Sequence, residues 1–193
     1  QLYEMPEEKV LISGLMERIG VGNSFYTIKV NGEKIKKEVE LNNHEEAFET
    51  LVKELEENNV VESLDEIEGI GHRVVQGGDY FDKTVVIDDE VLAKIDELSS
   101  LAPLHNPAAV TGIKAAKDVF PNAVQTAVFD TAFHQTMPKE NFLYALPISW
   151  YTDLKVRRYG AHGTSHKFVS QRMNEILKRD DTKIITCHIG NGS

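Results

Sequence analysis

Four places along the chain set arginine, aspartate, histidine or glycine-flanked polar residues where an apolar run gives out. They are His72-Arg73 with Gly77-Gly78, Asp130 with His134, Arg157 through His166, and His188 through Ser193. Arg73 offers a guanidinium fork that grips a carboxylate or phosphate bidentately, or else a structural salt bridge. Asp130 follows Ala127-Val128-Phe129, where an acid can hold Mg²⁺ through water, orient a base, or cap the next turn. His162 lies in a glycine-flanked turn just ahead of a helix, so its ring can approach a ligand closely. The helix start adds N–H groups and the positive end of a dipole, both suited to anions. His162 and His166 also have the i, i+4 spacing of two metal ligands. No glutamate follows His162 as in a zinc protease, however, and no third ligand is apparent. Gly190-Asn191-Gly192 can wrap backbone N–H groups around a phosphate, or form a plain hairpin turn. Cys187 alternates with apolar neighbours and reads as core rather than nucleophile.

The elements that would position these residues follow from periodicity and punctuation. Residues 2–40 read as strands, with a break at Gly14 and a tight hairpin at Asn31-Gly32, the preferred pair where both central residues take positive φ. From Asn43 the period turns helical through Phe48, Leu51, Val52 and Leu55, ending at Asn58-Asn59. Ile67 to Val75 reads as a buried strand. Val91, Leu92, Ile95 and Leu98 mark a short amphipathic helix. Asn106-Pro107 reads as a capped helix start with proline in the first turn, running to about Val119. Ala123 to Phe129 is the next strand. Thr164-Ser165 would cap a helix carrying Phe168, Val169, Met173, Ile176 and Leu177 on its apolar side, and Lys183 to His188 would be a last strand. The order is α/β with an antiparallel start. In open α/β sheets, ligands bind beyond the carboxyl ends of the strands, so the four polar places converge on one cleft.

Charge supports this division. The 193 residues carry 21 Lys plus Arg against 31 Asp plus Glu, a net of −10. Residues 1–70 hold 17 acidic and 7 basic residues, while residues 71–193 hold 14 of each and six of the seven histidines. The acidic first part is a solvated face, and the neutral, histidine-rich remainder is where an anionic substrate is tolerated. The overall acidity argues against nucleic acid as a partner. One cysteine excludes an internal disulfide and a Cys-rich metal site and fits a reducing, cytoplasmic compartment. No apolar run approaches the roughly 20 residues of a membrane helix, and the first residues do not read as a targeting leader.

Five blocks, GHRVVQGG at 71–78, LAPLHNP at 101–107, FDTAFHQTMP at 129–138, RRYGAHGTSHKFVSQR at 157–172 and CHIGNGS at 187–193, together resemble the acetate kinase family of the actin, Hsp70 and sugar kinase superfamily. The resemblance implies an α/β, ribonuclease H-like (actin-like ATPase) lobe: a mixed sheet with antiparallel hairpins at its start and helices packed on it. It implies reversible transfer of the ATP γ-phosphoryl group to acetate, giving acetyl phosphate and ADP, with Mg²⁺ and a homodimeric enzyme. Arg73 matches the arginine that binds the acid's carboxylate, Asp130 the essential aspartate that donates or accepts a proton, and His162 the histidine that stabilises the phosphoryl group in transfer. His188, Ile189, Gly190, Asn191 and Gly192 match the segment that binds ATP phosphates. His105 matches a histidine at the cleft, and Val75 and Leu104 lie near the pocket for the methyl end of the substrate. Gln76 stands where some members carry His, and Ala161 where many carry Phe.

Coverage departs from the family. The Gly-Ser-Ser-Ser phosphate loop that opens it has no match here, nor does the second lobe with its further arginine and metal-ligating glutamate. On this reading residues 1–193 are most of the N-terminal lobe, no metal ligand lies in the chain, and the chain alone does not turn over. Acetate is ionised at neutral pH, so Asp130 reads better as orienting Arg73 or a metal-bound water than as a base. Two alternatives stay open: a propionate kinase of the same family, since one methylene is worth only about 1–3 kcal/mol, and a non-catalytic binding or dimerisation piece.

Overall fold

A computed structural model describes residues 1–190 and resolves them into two compact units, one of residues 1–70 with 111–123, the other of 71–110 with 124–190. Asn191 and Gly192, two of the expected phosphate-binding residues, lie outside the described residues.

The first unit is built on an antiparallel meander of β1 (Leu2–Glu4), β2 (Lys9–Glu17), β3 (Phe25–Val30) and β4 (Glu33–Glu38). Asn31 and Gly32 both take positive φ, 52° and 80°, and close the β3–β4 hairpin with Val30 opposite Glu33. Gly14 does not break β2, as expected from the sequence, but sits inside it opposite Ile28. A Cβ there would come within 3.1 Å of the Ile28 side chain, so the glycine admits a neighbouring side chain instead of ending the strand. Tyr26, Ile28 and Val30 alternate inward and pack with Ile12, Leu55, Ile67 and Phe120. Leu55 comes from α1 (His44–Glu57), which is capped by the Asn43 side chain accepting the Glu46 N–H at 2.9 Å.

That core holds one carboxylate. Glu54 is 2% exposed and accepts hydrogen bonds from the Tyr26 hydroxyl, from Lys37 Nζ at 2.8 Å and from Asn58 Nδ2 at 3.0 Å. Burial alone would push its pKa up, but the donors outweigh burial and hold it below the ordinary glutamate value. Lys37 is raised by the same hydrogen bond.

The second unit carries most of a mixed three-stranded sheet ordered β5 (Gly69–Val74), β7 (Val124–Phe129), β6 (Val85–Val86), with β6 antiparallel to β7. Two helices follow β6: α2 (Asp89–Glu97), capped by Asp88, and α3 (Asn106–Val119), whose first five residues belong to this unit. After β7 come two single-turn helices, α4 (Lys139–Phe142) and α5 (Ser149–Thr152), then α6 (Gly163–Leu177). Leu143, Leu146, Pro147, Ile148, Tyr151 and Val156 line a shallow apolar pocket beside Trp150. Nearby, the buried Arg157 guanidinium lies 3.7 Å from the centroid of the Phe142 ring and 5.3 Å from that of Tyr159, which offsets its desolvation where NH2 finds no acceptor.

Several expectations drawn from apolar patterning fail in this unit. The α6 residues Phe168, Val169, Met173, Ile176 and Leu177 are exposed rather than packed. Lys183 to His188 form no strand among the described residues, and Ile185 stands almost fully exposed. Cys187 is therefore exposed, not core. Alternation identifies chain that suits a sheet; it does not supply the neighbouring strand.

Replacing Glu54 with alanine leaves the buried Tyr26 hydroxyl without its acceptor, and is expected to cost about 1–3 kcal/mol. Lys37→Ala, which removes a half-exposed partner, should cost less than about 1 kcal/mol. Urea denaturation followed by far-UV circular dichroism checks the order.

Candidate active site

The carboxyl ends of β5 and β7 lie side by side, joined where the Asp130 N–H donates to the Val74 carbonyl at 3.0 Å. This juxtaposition brings Arg73 to Asp130. Arg73 Nε donates to Oδ1 at 3.1 Å and NH2 to Oδ2 at 2.5 Å, a bidentate pair with a carboxylate that is only 2% exposed. Asp130 engages two of the five guanidinium N–H groups, and the Arg73 side chain is 62% exposed, so three donors face outward for an anion. Both Asp130 oxygens are occupied by arginine. The carboxylate thereby orients the guanidinium, and no group of three His, Cys, Asp or Glu able to hold a metal occurs among the described residues.

The backbone of Asp130 positions the next component. Its carbonyl accepts the Gly163 N–H at 2.8 Å, and a Cβ on Gly163 would overlap that oxygen, so only glycine fits. Gly163 is the first residue of α6, and His162 precedes it in the left-handed region, at φ 54° and ψ 26°. Thr164 and Ser165 do not cap the helix as expected. They are its second and third residues, whose N–H groups have no intrahelical acceptor and remain for an anion.

Three further histidines gather around this helix start. The His162 and His188 rings stack with centroids 4.1 Å apart, and His188 Nδ1 pairs with the Ser165 hydroxyl at 3.1 Å. His166 lies 6.2 Å from His188 and 6.0 Å from His134, with its Nδ1 2.6 Å from the Thr186 hydroxyl. Burial lowers the His166 pKa, and the charges of His134, His188 and His162 lower it further. His72 is lowered too, by burial against β7, although its ring bonds the Gln125 amide oxygen at 2.9 Å.

The rest of the expected pocket is joined to β5 by a residue that sequence reasoning cast in another role. Asn106 is fully buried and does not cap α3. Its Oδ1 accepts the Gln76 N–H at 3.1 Å, while Nδ2 donates to the Gln76 carbonyl at 3.0 Å and to the Ile95 carbonyl at 3.2 Å. The turn bearing Leu104 and His105, both exposed, is thereby tied to the strand end bearing Val75, which is half-buried. Gln76 accepts the Gly78 N–H at 2.9 Å and shapes the turn after β5. Ile189 and Gly190 are exposed beyond His188. No periodic signal marks Asn106 as a tie rather than a cap, because Asn-Pro at a helix start looks the same in either case.

The acetokinase family profile matches residues 1–193, every residue of the chain. The chain belongs to the acetokinase family. It is 53% identical over 195 aligned residues to the acetate kinase of Macrococcus caseolyticus, covering all of this chain and 49% of that protein. Among solved structures, the acetate kinase of Porphyromonas gingivalis superposes with a TM-score of 0.85 at 44% identity, over 92% of this chain and 45% of that one. A propionate kinase from Francisella tularensis gives 0.89 at 44% identity, over 96% and 47%. This acetokinase chain thus spans about half the length of the curated relatives it matches.

The two lowered histidines set a pH dependence. A histidine with a depressed folded pKa contributes nothing above its unfolded value of about 6.5 and destabilises the fold as pH drops below that value. Thermal melts at pH 7.5 and 5.0 should show a fall in Tm on acidification, smaller in His72→Gln and in His166→Gln than in the unsubstituted protein.

Proposed function

We propose that the full-length protein transfers the γ-phosphoryl group of ATP to acetate, reversibly, and that residues 1–193 form most of its N-terminal lobe. The observation that carries this is the exposed face of Arg73, locked bidentately by buried Asp130 and joined through Gly163 to the histidine-flanked start of α6. A carboxylate and a phosphoryl group repel one another, and the site offers a separate cationic or N–H surface for each. Arg73 holds the acetate carboxylate with the donors that Asp130 leaves unused. His162 donates to the equatorial oxygens of the transferring group as charge spreads over them, with the Thr164 and Ser165 amides beside it. His188, Ile189 and Gly190, continuing to Asn191 and Gly192, carry the ATP phosphates. Val75, Leu104 and His105 flank the substrate's methyl end. Asp130 abstracts no proton, since acetate arrives ionised; it fixes the guanidinium. Mg²⁺ accompanies ATP in this reaction class, where it would ride on the nucleotide phosphates; the described residues hold no cluster of three ligands for it.

Other elements of this reading are a cytoplasmic, homodimeric enzyme that prefers acetate over propionate. The propionate kinase neighbour makes propionate the second reading, and kcat/KM for the two acids side by side decides between them. Preference for propionate would sink the acetate assignment.

Arg73 acts in ground and transition states alike, so Arg73→Ala should raise KM for acetate and also lower kcat. His162→Ala should lower kcat by about 10²–10³ with KM much less affected. Steady-state kinetics with parallel thermal melts checks both; full kcat in folded His162→Ala would reduce the histidine to a packing residue.

A further inference from the structure

Resting on the role proposed for His162, we infer that His134 is its positioning residue, through the ring that seats Gly160 and the hydrogen bond that holds the Ala161 carbonyl. His134 belongs to the turn that follows Asp130, with its own N–H donating to the Thr131 carbonyl at 3.2 Å. Its Nε2 lies 2.9 Å from the Ala161 oxygen. A carbonyl only accepts, so Nε2 carries the proton. Gly160, at φ 79°, lies so close that a Cβ would overlap the His134 ring. Three residues on, the Gly163 N–H is fixed on the Asp130 carbonyl. Residues 160–163 are therefore gripped at both ends by one five-residue stretch, 130–134.

The grip is needed because His162 is a non-glycine residue in left-handed backbone, a costly conformation that relaxes unless its surroundings enforce it. Relaxation would swing the His162 ring away from His188, its stacking partner. Gly163 alone fixes where α6 starts; it leaves the peptide before His162 free to rotate. His134 removes that freedom by holding the Ala161 oxygen. The stretch that orients Arg73 through the Asp130 side chain thus also aims His162, so the carboxylate grip and the phosphoryl contact share one rigid turn. His134 touches neither substrate; it acts through the backbone of 160–161.

The test is steady-state kinetics on the full-length protein with His134→Phe, which keeps a ring against Gly160 but has no N–H. We expect kcat to fall about ten- to a hundredfold, with KM for acetate and for ATP within about twofold to threefold and Tm near the unsubstituted value. His134→Gln, whose amide can reach the same carbonyl, should recover most of kcat. In the His162→Ala background, His134→Phe should cost no further kcat. If phenylalanine does not fold, His134→Leu serves as the donor-free variant. Unchanged kcat in a folded donor-free variant, beside a strong loss in His162→Ala, overturns this inference and leaves the proposed function intact. An equal further loss without His162 also overturns it, because His134 would then act independently. Full activity in His162→Ala removes both readings.

Discussion

The ion pair between Arg73 and Asp130 organises the second unit because its acidic partner is buried and the basic one is not. A carboxylate at 2% exposure needs its charge met by strong, well-directed donors, and the guanidinium edge supplies two of them. The same residue spends its main-chain groups as well: its N–H pairs with the Val74 carbonyl and its carbonyl with Gly163. One position thus closes the sheet at β5–β7, fixes an arginine, and locates the start of α6. The exposed remainder of Arg73 is a by-product of satisfying Asp130 on one side only.

The second constraint is steric. Gly77 packs against Phe129, Gly163 against the Asp130 carbonyl, and Gly160 against His134. At Gly163 and Gly160 the approach is closer than a Cβ permits, and at Gly77 a Cβ would be held tightly, 3.0 Å from the Phe129 ring. Asn106 complements them with polar closure, binding both backbone groups of Gln76 as a paired strand would. Strand ends, a loop and a helix start are brought together by missing side chains as much as by present ones.

Much of this arrangement is legible in the residues, for identifiable reasons. Asn31-Gly32, the Asn43 cap and the helical spacing of Phe48, Val52 and Leu55 are local signals, and the local structure follows them. The pairing of Arg73 with Asp130 is 57 residues apart in sequence, yet both stand at the ends of apolar runs, and adjacent strand ends are where an α/β sheet gathers polar groups. What could not be read was non-local. Alternation in Lys183–His188 suits a strand, and the apolar stripe of α6 suits a packed helix, but neither pattern specifies its partner surface. Asn106 and Ser165 read as caps because capping is their usual use at such places. Each instead bonds a distant segment, Asn106 to Gln76 and Ser165 to His188.

The position of Trp150 bears on how this chain can be observed. It is the chain's one tryptophan, and it lies beside the apolar pocket of the second unit with Tyr151 and Tyr144, whereas the first unit holds only Tyr3 and Tyr26. Indole emission therefore reads the surroundings of residues 143–156 and is blind to the four-stranded meander. Circular dichroism averages over both. If the units melt apart, the two signals separate into different transitions, and a single midpoint ceases to describe the molecule. Fluorescence alone would register damage near α5 and pass over a ruined Glu54 core, so the optical probe decides which half of the protein an experimenter sees.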